Sequence, residues 1–144
     1  VGSSAGALVG AGVHSGGPGQ EAYLTSRRAK PMTAYASVAN TGNLPDRMSV
    51  RADAGSRFFN VTYLGSGGNI TAGLVTGTFR SDEIANGEET LRIVASIAPN
   101  KKKLRKLRGR RPIYLKKTYN GVVTAVSTFD PVQFDTGRIQ VKTR

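Results

Sequence analysis

The chain is predicted to fold as an all-β, two-sheet sandwich preceded by an extended Gly/Ala-rich segment. Three observations carry this. Apolar and polar residues alternate in short runs, the period of a strand with one buried face. Turn signals built on Gly, Pro, Asn and Asp separate the runs. No stretch sustains the i, i+3, i+4 apolar spacing of an amphipathic helix. A chain of 144 residues is one domain by length and needs no covalent staple. An open barrel is the rival arrangement.

Residues 1–19 are rich in Gly, Ala and Ser and should be extended. Leu8, Val9 and Val13 lie there in an uncharged apolar stretch. They are a candidate assembly strand, able to add to an open sheet edge of another copy. A leader or a linker between domains is the alternative. The sandwich itself is placed at 20–144. Its first strand falls within 21–28. In 32–39, Met32, Ala34, Ala36 and Val38 share a face. NTGNLPD at 40–46 is turn chemistry, because Gly42 tolerates positive φ and Pro45 cannot donate to a ladder. Met48, Val50 and Ala52 point one way in 47–52, and Phe59, Val61 and Tyr63 in 58–64. GSGGN at 65–69 is a loop. Residues 70–79 read as one or two short strands, and 81–89 as a polar connection. TLRIVASIA at 90–98 is the clearest strand, with Leu91, Ile93, Ala95 and Ile97 inward. Two closing strands lie near 119–129 and 137–143.

Several of these segments share a family pattern. VANTGNLPDRMSVRA resembles the N-x-G-x-x-x-D-x-F-x-V signature of immunoglobulin-like repeats in bacterial and archaeal surface proteins, the cell-adhesion-related, CARDB-like sandwiches. Asn40, Gly42, Asp46 and Val50 match, and Met48 replaces the usual aromatic. FFNVTYLGSGGNITAGLVTGTF is similar to the F-x-V-x-Y strand of that family, its polar loop and its DVT-x-x-V-x-x-G-x-Y segment. IANGEETLRIVASIAP is similar to its long L-x-V-x-V strand, with Asn86 where proline is usual. AVSTFDPVQFDTGRIQVKTR resembles its closing pair. The resemblance covers most of 9–144. It implies an immunoglobulin-like sandwich, extracellular or on the cell surface, built into arrays or assemblies and without catalysis. Residues 100–117 depart from the pattern and read as a basic insertion.

That insertion, NKKKLRKLRGRRPIYLKK, holds ten of the 21 basic residues and no acid. The cations are Lys101, Lys102, Lys103, Arg105, Lys106, Arg108, Arg110, Arg111, Lys116 and Lys117. The other eleven face nine acids, so the rest of the chain is nearly neutral. Three roles fit the run. It could dock on the acidic 81–89 connection of another copy or on an anionic envelope polymer. It could be a long solvated hairpin whose like charges block edge pairing. It could bind nucleic acid through phosphates, although only Tyr114 and Tyr119 are near for stacking. A brief amphipathic turn at its start would end by Gly109 and Pro112.

Catalysis finds little support. There is no cysteine, and His14 is the single histidine, which removes thiolate chemistry, two-histidine metal sites and most triads. Asp82, Glu83, Glu88 and Glu89 read as solvated loop acids without an aromatic cleft. Asp130 and Asp135 offer too few oxygens for calcium, and no cofactor motif is present. Asn60 and Asn69 head glycosylation sequons. No apolar run is long enough to span a membrane. The leading expectation is therefore a structural subunit or repeat of an extracellular fibre, sheath or surface layer that forms a homopolymer. The alternative is a binding module for an acidic polysaccharide or, less favoured, nucleic acid.

Overall fold

The computed structural model describes residues 20–87 and 89–144. The candidate assembly strand with Leu8, Val9 and Val13 lies outside the described residues, as does His14. The chain forms β1 (Glu21–Ser26), a 3-10 turn (Arg27–Ala29), β2 (Met32–Ala39), β3 (Met48–Ala52), β4 (Phe59–Gly65) and β5 (Gly68–Asn69). Then come α1 (Thr71–Thr76), β6 (Phe79–Arg80), β7 (Glu89–Pro99), a single helical turn α2 (Lys101–Leu104), β8 (Arg105–Arg108), β9 (Arg111–Tyr114), β10 (Thr118–Ser127) and β11 (Phe134–Thr143).

Two sheets pack face to face, in the orders β1-β11-β10-β3-β6 and β2-β7-β4-β5. β8 and β9 form a separate ribbon. The protein is thus an all-β, two-sheet sandwich. β1 runs parallel to β11, from Glu21 opposite Arg138 to Ser26 opposite Thr143. It therefore occupies one edge of the larger sheet within the chain itself.

The period-2 pattern explains the core. Ile93, Ala95 and Ile97 of the central strand β7 are buried, as are Ala34 and Ala36 beside them on β2 and Phe59 and Tyr63 on β4. Val50, Val123, Ala125, Ile139 and Val141 meet them from the other sheet. Val38 and Val61, expected inside, are half-buried at its margin. Burial pushes the Tyr63 phenol far up, and its hydroxyl donates to the Asp53 carbonyl at 2.8 Å.

Two connections differ from expectation. Residues 70–79 hold the helix α1 where one or two strands were expected, with strand beginning only at Phe79 in β6. Leu74 is fully buried, and the Thr71 hydroxyl accepts the Tyr63 N–H at 2.8 Å, so docking overrides the β-branched composition. Gly77 ends α1 in the left-handed conformation (φ 73°), its N–H donating to Gly73 and Leu74. The connection between β6 and β7 is not wholly polar or loose. Ile84 is buried and bridges Asp46 through paired backbone hydrogen bonds of 3.0 and 2.7 Å.

Asn40 and Asp46 of the family-like motif brace that same end. The Asn40 side-chain amide donates to Leu44 and Ile84 carbonyls and accepts from Gly42. Asp46 is partly desolvated, which opposes ionisation. Bonds from Ser127, the Arg47 and Phe129 N–H groups and Thr128 outweigh this and hold its carboxyl below the ordinary value. A carboxyl lowered in this way stabilises the fold above its unfolded pKa. That contribution vanishes as pH falls through the folded pKa. Melting temperature should therefore drop on acidification below about pH 4, and Asp46→Asn should flatten that part of the profile. An unchanged profile in the variant would show that Asp46 contributes nothing there.

Candidate functional site

The basic insertion leaves the sandwich where β7 ends. Pro99 closes the strand, and the Asn100 N–H donates to the Phe58 carbonyl at 2.8 Å. The Asn100 side chain accepts the Lys103 N–H at 3.2 Å, capping α2. One turn is enough to aim Leu104 inward, where it is fully buried, while Lys101, Lys102 and Lys103 stay exposed.

From there β8 and β9 form an exposed ribbon. Arg105 faces Tyr114, Lys106 faces Ile113, Leu107 faces Pro112 and Arg108 faces Arg111. Gly109 (φ 64°) is the first residue of the two-residue turn, where positive φ favours glycine. Lys106, Arg108, Ile113 and Arg111 share one face, since alternate side chains point the same way. The Leu115 N–H donates to the Leu104 carbonyl at 2.9 Å and closes the base. Thr143 of β11 then fixes the descending strand. Its hydroxyl accepts the Lys117 N–H at 2.8 Å and donates to the Leu115 carbonyl at 2.7 Å. The Lys117 ammonium lies 4.9 Å from the centre of the Phe58 ring, and the Arg57 guanidinium 5.7 Å from it. Such contacts hold a cation without neutralising it.

All ten predicted cations are exposed, and among the described residues none forms an ion pair. The topology adds six that the sequence scattered. Arg27, Arg28 and Lys30 follow β1, Arg57 precedes β4, and Lys142 and Arg144 end β11, all at the same end of the sandwich. Backbone bonds tie these segments: Arg144 N–H to Ser26 at 2.9 Å, and Arg28 N–H to Arg144 at 3.3 Å. Arg28 (φ 52°, ψ 35°) and Ala29 (φ 53°) are consecutive left-handed residues without being glycine. That conformation costs about 1–2 kcal/mol per residue. Among the described residues the one acid at this end is Asp53, whose carboxylate accepts the Val122 N–H at 3.1 Å. Asp46, Asp82, Glu83, Asp130 and Asp135 lie toward the other end.

Leu104 is the peg of the ribbon. Leu104→Ala should loosen it without unfolding the sandwich, because Leu104 stands outside the main core cluster. Trypsin cleavage within 101–117 should rise at least about 30-fold, the equivalent of the ~2 kcal/mol lower bound for truncating a buried leucine. Cleavage at the wild-type rate would show that the ribbon is held otherwise.

The remaining candidates are dispersed. Asn60 is exposed on the outer face of β4 and fits a glycan acceptor. Asn69 is exposed too, but its side-chain oxygen accepts the Thr71 N–H at 2.9 Å. Asp130 and Asp135 do not converge. Asp130 accepts from Val132 in its own turn, and Asp135 from Gln20 and Thr136. Among the described residues no three His, Cys, Asp or Glu side chains stand together as a metal site, and no helix is long and apolar enough to cross a membrane.

Neither a protein-family model nor a curated protein sequence matches the chain. Among solved structures it is similar to the N-terminal domain of PorA, with a TM-score of 0.45 and 10% identity over 86% of this chain and 87% of that one. It is also similar to the Pseudomonas aeruginosa CupB2 chaperone, with a TM-score of 0.35 and 11% identity over 85% of this chain and 52% of that one.

Proposed function

We propose that this sandwich is a non-catalytic module of a cell-surface or extracellular assembly, and that its basic end binds an acidic polysaccharide. One observation supports this above the others: a braced, exposed ribbon of cations sits among further cations with almost no acid nearby. Binding to such a surface is driven by release of the counterions of a polyanion.

Charge also weighs against a homopolymer held by head-to-tail contact alone. At the other end, Asp46, Asp130 and Asp135 already accept hydrogen bonds within the fold. Asp82 and Glu83 are exposed, with Arg47 and Arg80 in the same segments, and Glu21 is paired with Arg138. Among the described residues, a second copy therefore offers little unpaired negative charge to this surface. Nucleic acid is disfavoured by the aromatics. Tyr119 is buried, Tyr114 is half-buried, and Phe58 is taken by Lys117 and Arg57. The exposed rings Phe129 and Phe134 lie at the other end of the sandwich and Tyr23 lies on the outer edge strand, so none stands among the ribbon's cations for a base to stack on. The resemblance to cell-adhesion-related repeats, carried by Asn40, Gly42, Asp46 and Val50, supports the surface setting.

Light scattering at low and high salt tests the reading, with heparin, duplex DNA or no addition. The protein alone should stay small, and heparin should drive complexes that dissolve in high salt. Large particles without any polyanion would favour the fibre subunit, and complexes with DNA but not heparin would favour nucleic acid.

A further inference from the structure

We infer that a cleft at the base of the ribbon is a discrete site for one oxyanion group, a sulfate or phosphate ester, of the bound polymer. The inference rests on the polysaccharide reading for the source of that group. The cleft has a volume of about 370 Å³ and is lined by Lys116, Lys117, Thr118, Lys142, Thr143 and Arg144. Four of the six are cations and none is an acid. The volume sits at the small end of small-molecule sites.

Two segments distant in sequence build it, and both are fixed. Thr118 pairs with Lys142 across β10 and β11. Thr143 donates its N–H to the Lys117 carbonyl at 2.9 Å and accepts the Lys117 N–H through its hydroxyl. Arg144 is held through both its N–H and its carbonyl, the latter by the strained residue Arg28. Strain of this kind clusters where a structure positions functional groups. Here it brings a fifth exposed cation to the backbone of Arg144. A backbone set in advance leaves only side chains to order on binding, which favours affinity.

The number of acceptor oxygens selects the ligand. A carboxylate offers two oxygens to Lys116, Lys142 and Arg144, the Lys117 ammonium lying on the Phe58 ring, whereas a sulfate ester of the same charge offers three terminal oxygens. The guanidinium fork of Arg144 suits two such oxygens, and the lysines act as point charges. The Thr143 hydroxyl is spent within the fold, so Thr118, which is exposed, is the neutral group left to add a hydrogen bond. The ribbon then tracks the polymer diffusely, and the cleft fixes its position.

Amide chemical shifts of the full chain, followed by NMR, test this. Sodium sulfate and sodium phosphate, at ionic strength matched with sodium acetate, should shift residues 116–118 and 142–144 saturably, and acetate should not. The double variant Lys142→Ser/Arg144→Ser should lose those shifts and bind heparin about tenfold more weakly. Arg108→Ser/Arg110→Ser on the ribbon should keep the sulfate response. All four side chains are exposed, and an unchanged melting temperature confirms folding. Shifts that are linear, spread over every exposed lysine or retained in the double variant would overturn the site. Heparin binding that persists at full strength in the double variant would overturn it too and leave the polysaccharide reading standing. Saturable sulfate binding with no response to heparin would uphold the cleft as an oxyanion site and overturn its assignment to a polysaccharide.

Discussion

Truncating Ile93 to alanine should lower the stability of the fold by about 2–5 kcal/mol. Ile93 is 1% exposed and sits on β7, the strand flanked by both β2 and β4. Its cross-strand neighbour Ala36 and the nearby Ala34 are already small and buried. They have no side chain to swing into the space, so the cavity should persist. The predicted loss combines the removed transfer free energy with that cavity. Urea unfolding should show a lower midpoint with an unchanged slope. A loss below about 1 kcal/mol would mean that the site collapses or is not packed, contrary to the core described.

Replacing Lys101, Lys102, Lys103 and Arg105 by serine should do the opposite: leave stability alone and cut binding. The four side chains are exposed, and among the described residues they contact no acid. Their removal relieves repulsion and breaks no packing, so the melting temperature should stay within about 3 °C. Affinity for heparin should fall at least about tenfold at low salt. The slope of log affinity against log salt should flatten by about one for each lost contact. A large drop in melting temperature would mean that the charges are structural.

Much of the sandwich was legible because a strand with one buried face writes its period directly into the chain. In TLRIVASIA, Leu91, Ile93, Ala95 and Ile97 alternate with Arg92, Val94 and Ser96, and the structure buries the first set. In ITAGLVTGTF the pattern failed. Ile70 and Leu74 stand one helical turn apart, but β-branched neighbours and two glycines mask that signal. Docking of Leu74 and the bond from Tyr63 to Thr71 decide the helix, and neither is local.

The candidate site was half visible. The ten cations of the insertion are contiguous enough to read, whereas Arg27, Arg28, Lys30, Arg57, Lys142 and Arg144 appear singly or in small groups. The parallel pairing of β1 with β11, the return of β10 and the pairing of β4 with the end of β7 bring them together. Leu104 was equally hidden. A leucine within KKKLRKL looks solvated until the Asn100 cap turns it inward.

The central claim is that the basic end is a polyanion-binding surface, and heparin affinity of the intact protein across a salt series tests it most directly. The account predicts measurable binding at low salt and a log-linear loss as salt rises, steeper in the intact protein than in the four-serine variant. No binding at low salt, or an affinity that salt does not change, would contradict it.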